Sequence, residues 1–395
     1  MNIAIVSPFN PSEVKDYITD GSSVESINVA ASSVHSMVRG ILKMGHQVSI
    51  FTSCSGPKEK IIEYHGTNVH IYVVQNKKSL FGLKTYPKLR KLISQHFSEF
   101  DVLHAQWTYR YAYAIIPFAN RIPCFCSVRD WCPYIMTFPH PIIAKIEWYV
   151  NYLYFKKVMS TSSIIKISNS SYTKSRISNY LQTDDVPYIP NPIKAELIVD
   201  RHNHLDNTIV FIAISQSLHD ERKNVPSLIK AFILLRNRYP EAVLKLIGDG
   251  CSQDFRGILH SEKDARNIEF LGKMSHNDVI AQLDQSTCLI HTAFEETFGN
   301  IFLEASARGI PSIGGHDAGG VPQVLDYGRA GCLCDVHDVQ SIYNAMVYMI
   351  ENSTYRQFIT MNAIKKVKDE YMDLVVCQKL IDLYHQYISS AFIKH

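Results

Sequence analysis

The chain has 395 residues, more than a single hydrophobic core usually serves, so two domains are expected. With 46% hydrophobic and 19% charged residues, the composition is that of a globular protein and excludes a disordered or low-complexity chain. The net charge of only +3, without a recognised nucleic-acid-binding module, argues against a nucleic acid partner.

The charge is distributed unevenly along the chain. Residues 1–195 hold 21 Lys+Arg and 12 Asp+Glu, a net +9, whereas the remaining residues hold 19 and 25, a net −6. The densest basic run is Lys77–Lys91, in which apolar residues such as Leu80, Phe81 and Leu89 interleave with the cations. The run is interpreted either as a segment that contacts an anionic membrane surface or as a solvated helix face followed by a loop.

Short apolar segments alternate with helical patterns through the first half of the chain. Ile3–Phe9 is predicted to be the first strand rather than a signal peptide, because no basic segment accompanies it. Residues 28–46 have helical spacing of apolar side chains and end at Gly45, a suitable residue after a helix. Five further strand candidates follow between residues 47 and 168, which favours a parallel, doubly wound α/β sheet.

The same alternation begins again after residues 186–207, which are rich in Pro, Asn, Asp and His and are predicted to be a linker. Helices are predicted near 225–239, 253–263, 277–283 and 339–350, with strands between them. The expected domains are therefore 1–195 and 205–370, followed by a C-terminal helix in 371–395 that packs back toward the first domain. Neither half contains G-x-G-x-x-G or a P-loop, so neither a classical dinucleotide site nor a P-loop site is expected.

The cysteines and the hydropathy pattern bear on location. Nine scattered cysteines, an odd number, predict free thiols in a reducing cytoplasm. No window approaches 18 consecutive apolar residues, so no membrane span is expected. A cytoplasmic protein, with peripheral contact to the inner face of a membrane as an option, is the resulting expectation.

One segment places two acids around a glycine turn. In Phe294–Glu304, a helix is predicted to start at Gly299 or Asn300 and to end before Gly309. Glu296 then lies in the loop before the helix and Glu304 near its first turn, where free backbone amides can bind a phosphate or a sugar hydroxyl. The alternative is that Glu304 only stabilises the helix through its dipole, by roughly 0.3–1 kcal/mol.

Two further segments suit an anionic ligand. Arg222 and Lys223 follow a predicted strand and precede a helix, so they can bind a diphosphate, although a solvated loop is the common explanation for such a pair. Residues 314–325 form a glycine-rich loop whose amides are predicted to make an anion nest.

Together these segments resemble the retaining glycosyltransferases of the GT-B fold, specifically glycosyltransferase family 4. "EETFGNIFLEASARGIPSIGGHDAGGVPQVL" resembles the E-x7-E segment and the following glycine loop of that family, and "GRAGCLCDVHDVQSI" resembles its next motif. "MGHQVSIFT", "FDVLHAQ", "ISNSSYTKSRIS" and "YIPNPI" are similar to its N-terminal stretches, in order. The resemblance implies two Rossmann-like domains that face each other across a cleft.

The resemblance also implies roles for donor-binding residues. Glu304 would bind the ribose of a nucleotide-sugar, and Glu296 would lie at the donor sugar. The donor-binding set implied by the motif is completed by the diphosphate-binding cations and the turn before the helix: Arg222, Lys223, Phe298, Gly299 and Asn300. No metal and no cofactor would be needed, because cations and helix N-termini would stabilise the departing diphosphate.

Four positions depart from the family pattern. Ser217 stands where many members have an arginine six residues before the phosphate-binding lysine, and residues 27–32 lack the usual Gly-Gly. Arg129 replaces a histidine before Asp130, and these two residues are placed with Glu296 in the predicted catalytic set; Arg129 could bind an anionic acceptor. Gln323 replaces the glutamate that often ends the glycine loop.

The expected function is transfer of a hexosyl group, with retention, from a UDP- or GDP-sugar to a glycan or lipid-linked oligosaccharide in surface polysaccharide biosynthesis. The alternatives are a non-catalytic binding or scaffold protein of the same fold and, with less support, a phosphorylase-like enzyme. Fold alone does not decide between them.

Overall fold

The computed structural model describes residues 1–19, 21–27, 29, 31–77, 85–199 and 209–392. The chain divides into two compact units. The first is formed by Met1–Ile193 together with the chain from Met372 onward, and the second by Lys194–Tyr371.

The first unit is built on a seven-stranded sheet of order β3-β4-β2-β1-β5-β6-β7. Its strands are β1 (Asn2–Val6), β2 (Gln47–Ser55), β3 (Lys60–His65), β4 (Val69–Asn76), β5 (Val102–Gln106), β6 (Cys124–Val128) and β7 (Ile164–Ser168). The sheet is not wholly parallel as expected, because β3 pairs antiparallel with β4. This edge strand was not predicted, since its residues are mostly exposed and its sequence lacks the continuous apolar run of a buried strand.

Helices cover this sheet. They are α1 (Ser32–Lys43), α2 (Thr85–His96), α3 (Arg110–Ile115), α4 (Cys132–Ile135), α5 (Ile142–Ser160) and α6 (Ser171–Leu181). Helix α1 buries Val34, Val38 and Ile41 against the sheet, and these positions have the spacing of one helix face. Gly45 follows α1 with φ +81°, a conformation that favours glycine.

The second unit has a parallel six-stranded sheet of order β10-β9-β8-β11-β12-β13. Its strands are β8 (Val210–Ser217), β9 (Val243–Asp249), β10 (Ile268–Gly272), β11 (Cys288–His291), β12 (Ser312–Gly315) and β13 (Cys332–Cys334). Its helices are α7 (Val225–Arg238), α8 (Glu262–Ala265), α9 (His276–Asp284), α10 (Asn300–Ala307), α11 (Val321–Val324), α12 (Val339–Glu351) and α13 (Ser353–Lys366). The helix predicted near 253–263 is wrong: this segment contains a 3₁₀ turn at Ser252–Phe255 and the short α8.

The last helix, α14 (Asp373–Phe392), packs on the first unit. Its buried side chains Cys377, Leu380 and Tyr384 belong to the core that α1 and β1 share. Asp373, which is fully buried, accepts a hydrogen bond from the Lys43 ammonium of α1 at 2.8 Å. Apolar burial and one partly screened ion pair therefore hold the end of the chain to α1.

The basic run Lys77–Lys91 is only partly within the described residues. Residues 78–84, including Leu80, Phe81 and Leu83, lie outside them. Leu89 and Leu92 point into the core from α2 and are buried, so these two residues do not form an interfacial surface. None of the helices in the described parts of the chain is long and apolar enough to cross a bilayer.

Candidate active site

The second unit has a strand-order reversal at the centre of its sheet. The chain runs outward from β8 through β9 to β10, and then returns to β11 on the other side of β8. In such sheets the loops after the two central strands part and leave a crevice at their carboxyl ends, where ligands bind. The loops after β8 and β11 contain five of the nine predicted site residues, and α10, to which the second loop leads, carries two more.

Backbone and hydroxyl hydrogen bonds join these two loops. The Phe294 amide donates to the Arg222 carbonyl at 2.8 Å. The Thr292 hydroxyl is 3.2 Å from the Lys223 carbonyl and 3.1 Å from that of Asn224. Asn224 has φ +51°, so the chain turns sharply from this loop into α7. The position of Lys223 is thereby fixed relative to β11.

Glu296 is the centre of a partly buried polar cluster. Its carboxylate accepts hydrogen bonds from the Lys223 ammonium and, at 2.8 Å, from Nε2 of His291. Burial by itself would raise the pKa of Glu296, but Lys223 and His291 together outweigh it and hold the pKa well below its usual range. Glu296 is therefore an anion at neutral pH, able to accept hydrogen bonds from a ligand but unsuited to donate a proton.

The lowered pKa of Glu296 makes the stability of the fold sensitive to acid. A carboxyl group whose pKa is lower in the folded state than its ordinary 4.5 stabilises the fold above that pH and loses the contribution as the pH falls below it. We expect the melting temperature of Glu296→Gln to fall less steeply than that of the wild type between about pH 5 and pH 3. Circular dichroism melts across that interval measure the slopes; parallel slopes for the two proteins would contradict the assignment.

Arg222 has a different environment from the one expected for a diphosphate ligand. Its guanidinium makes two contacts with the Asp220 carboxylate, at 3.2 and 2.7 Å, and lies 4.0 Å from Glu295. Burial would lower the pKa of Arg222, but these acids outweigh it and raise the pKa, so the side chain remains a cation. With Lys223 and Glu296 included, two cations meet three carboxylates, so this local group is not a ready-made anion site.

The predicted turn and helix after Glu296 are present, with one change in detail. Helix α10 begins at Asn300 with Gly299, at φ +94°, as its N-cap, so the Asn300 side chain is not the cap that was predicted. Glu304 lies beyond the first turn, which contains no acid, so the dipole explanation for this residue is weakened. The Phe298 side chain is buried, which leaves only its backbone for a ligand.

Glu304 is buried in α10 and is paired across the fold. One carboxylate oxygen lies 3.1 Å from Nε2 of His276, the first residue of α9. Only 11% of its side chain is exposed, whereas His276 is 38% exposed. The pair thus presents one partly solvated edge to which a polar ligand can bind.

The glycine-rich loop after β12 uses its backbone amides in hydrogen bonds within the protein and does not form an anion nest. The amides of Ala318, Gly319, Gly320 and Val321 all donate to carbonyl groups of the protein, including Gly320 to Glu296 at 2.7 Å. Gly319 has φ +65°, and a Cβ there would lie 2.3 Å from the Glu296 carbonyl oxygen. The glycines therefore allow this loop to pack against the Glu296 backbone, and the predicted nest is wrong.

Arg129 and Asp130 lie in the first unit, just after β6. The Arg129 guanidinium donates to Gln106 and Asn191, both at 2.6 Å, and to Ser33 at 2.9 Å. These three acceptors are uncharged, and burial lowers the pKa of Arg129 to about 10, so the partly buried side chain remains a cation at neutral pH. Asp130 accepts a 2.7 Å hydrogen bond from the Tyr109 hydroxyl.

Two histidines of the site were not predicted from the sequence. His291 is hydrogen-bonded to Glu296, and His276 is hydrogen-bonded to Glu304. Neither histidine lies in the E-x7-E segment that drew attention to the two acids. The position of His291 as the last residue of β11 was the available signal, since ligand groups gather at the carboxyl ends of parallel strands. Within the described parts of the chain, no three His, Cys, Asp or Glu side chains are arranged to hold a metal ion.

Comparison with known proteins agrees with this architecture. The profile "Glycosyltransferase Family 4" matches residues 30–197, and "Glycosyl transferases group 1" matches residues 196–366. A sucrose-phosphate synthase from Thermosynechococcus elongatus superposes with a TM-score of 0.78 at 15% identity, over 99% of this chain and 100% of that chain. Anabaena HepE in complex with UDP and glucose gives 0.67 at 17% identity, over 98% and 100%.

A curated relative is N-acetyl-alpha-D-glucosaminyl L-malate synthase of Bacillus anthracis, 28% identical over 169 residues, which is 39% of this chain and 43% of the relative. The first curated relatives are matched over only 33% to 51% of their own lengths. The family profiles nonetheless follow each other along both units, and the superpositions cover the whole fold. The chain therefore belongs to glycosyltransferase family 4, and its two units are the Rossmann-like domains of the GT-B fold.

Proposed function

We propose that the protein is a retaining, metal-independent glycosyltransferase that moves a hexosyl group from a UDP- or GDP-sugar to a glycan or lipid-linked oligosaccharide. The observation that carries the proposal is the cluster of Glu296, Lys223 and His291 at the carboxyl edge of β8 and β11, with Glu304 on the helix that follows. The UDP and glucose held by HepE, a protein of the same fold, support a nucleotide-sugar as donor.

The donor would lie along the start of α10. Glu304, whose carboxylate is hydrogen-bonded to His276, would accept further hydrogen bonds from ribose hydroxyls. The N-terminal end of α10, whose dipole favours anions, would face the sugar and the phosphates; of its first amides, that of Phe302 donates to the Gly299 carbonyl at 3.1 Å. The Lys223 ammonium, which binds Glu296, would also bind the diphosphate and stabilise its negative charge as it leaves.

In the reaction, the acceptor hydroxyl oxygen bonds to the anomeric carbon on the face from which the diphosphate departs. The bond between that carbon and the phosphate oxygen breaks, and the acceptor proton passes to the leaving phosphate. Glu296, an anion beside the sugar, would stabilise positive charge that develops on the ring and would fix the sugar hydroxyls.

The acceptor is proposed to bind the first unit, where Arg129 and Asp130 lie. Arg129 is a partly buried cation just after β6, and a cation at that place would attract an anionic group on the acceptor. A role in surface polysaccharide biosynthesis is consistent with an acceptor of this kind.

Nucleotide binding tests the donor assignment directly. We expect UDP or GDP, but not both equally, to raise the melting temperature, because ligand at about 100 times its dissociation constant adds about 2.7 kcal/mol of stability. The panel is UDP, GDP, ADP and CMP, measured by thermal denaturation and followed by donor turnover with the sugars of the active base. No shift with any nucleotide, together with no donor turnover in the presence of mixed glycan acceptors, would favour a scaffold role instead.

A further inference from the structure

Helix α5 of the first unit has an outward face that is apolar. Its large exposed side chains include Ile142 at 78%, Ile146 at 46%, Tyr149 at 56% and Leu153 at 50%. Successive separations of four, three and four residues place all four on a single stripe. At 1.5 Å per residue the stripe is about 16 Å long. On the other side of the helix Phe155, Val158 and Met159, all in its C-terminal third, are buried, so α5 is apolar on both sides there.

Lysines border the stripe on both sides. At 100° per residue, Lys145 and Lys156 fall on one edge of the stripe and Lys157 on the other, and all three are exposed. Glu147 is the single acid in α5 and lies further round the helix. Lysine stems beside an apolar stripe can extend their ammonium groups toward phosphates while the aliphatic side chains enter a lipid layer.

We propose that the outer face of α5 binds the surface of an anionic lipid bilayer, with the helix lying in the plane of the interface. The charge favours lipid over a second copy of the chain, because a symmetric contact between two α5 stripes would bring two sets of lysines together. The excess of 21 Lys+Arg over 12 Asp+Glu in residues 1–195 points the same way. The aromatic ring and hydroxyl of Tyr149 suit the boundary between headgroups and acyl chains.

This surface differs from the basic run Lys77–Lys91, in which Leu89 is buried, as is Leu92 just after it. It also makes no use of the second unit, so it holds or fails independently of the donor site. An enzyme bound to the membrane that holds its lipid-linked acceptor would encounter that acceptor by diffusion in the plane of the bilayer. The surface is in this way connected with the proposed function.

The test is sedimentation of the full-length protein with vesicles of phosphatidylcholine alone or mixed with phosphatidylglycerol. We expect binding to the mixed vesicles, weakened by salt and reduced about tenfold in the double variant Ile146→Gln, Leu153→Gln. Lys156→Gln with Lys157→Gln should remove the preference for phosphatidylglycerol. The matched control is Phe358→Gln with Met361→Gln on α13, exposed by 52% and 64%, which should bind as the wild type does.

Sedimentation velocity and melting temperature of each variant complete the experiment. All the substituted side chains are exposed, so folded monomers are expected throughout. Equal vesicle binding by the wild type and the Ile146, Leu153 variant would overturn the proposal. So would a wild-type dimer that this variant dissociates without any vesicle binding, since the stripe would then be a contact between two copies.

Discussion

Replacement of Lys223 by alanine should lower donor turnover at least tenfold, the largest single effect we expect in the site. Tenfold corresponds to about 1.4 kcal/mol of lost transition-state stabilisation, a modest demand on a partly buried ammonium at a departing diphosphate. The measurement is kcat and KM for the nucleotide-sugar, with the fall expected mainly in kcat. Lys230→Ala, an exposed lysine on α7, is the matched control and should retain wild-type turnover.

Lys223→Ala also removes a partner of Glu296, so activity must be separated from stability. The variant leaves a partly buried carboxylate that still accepts a hydrogen bond from His291, and we expect roughly 1–3 kcal/mol of lost stability. Adding Glu296→Gln removes the negative charge that Lys223 no longer compensates, so the melting temperature should recover while turnover stays low. Recovery of both quantities in the double variant would mean that Lys223 acts only as a structural partner of Glu296.

Glu304→Gln should raise the KM for the donor and lower kcat/KM at least tenfold while leaving the melting temperature nearly unchanged. A carboxylate can accept hydrogen bonds from two ribose hydroxyls, and hydrogen bonds to a charged group are worth about 1.5–3 kcal/mol. Glutamine keeps the shape and one acceptor, and it can still contact His276, so the fold should tolerate it.

Glu262→Gln, an exposed acid on α8, is the control for loss of one negative charge from the same unit. Isothermal titration calorimetry measures the affinity of the wild type and of Glu304→Gln for the active nucleotide and for the corresponding ribose phosphate without the base. A loss of affinity for both ligands would place the effect at the ribose. If Glu304→Gln binds the nucleotide as tightly as the wild type does, the residue does not contact the ribose.

Local signals were sufficient for much of the second unit. The apolar run before Arg222 is β8, and the turn at Gly299 followed by the stop at Gly309 bounds α10 within a residue of its prediction. These features are set by neighbours within a few positions, through helix capping and apolar periodicity. The edge strand β3 was not predicted, because a half-exposed hairpin strand has little apolar pattern.

The sequence by itself determined the family, the alternation of strands and helices, and which acids and cations stand at strand ends. Only the tertiary structure decided which charges meet: Lys223 and Glu296 are 73 residues apart, and His276 and Glu304 are 28 apart. The structure also shows that Arg222 forms an ion pair with Asp220 and that the glycine-rich loop packs against the Glu296 backbone. The reason is physical, since a side chain's pKa and its hydrogen bonds depend on partners and burial that only the paired sheet creates.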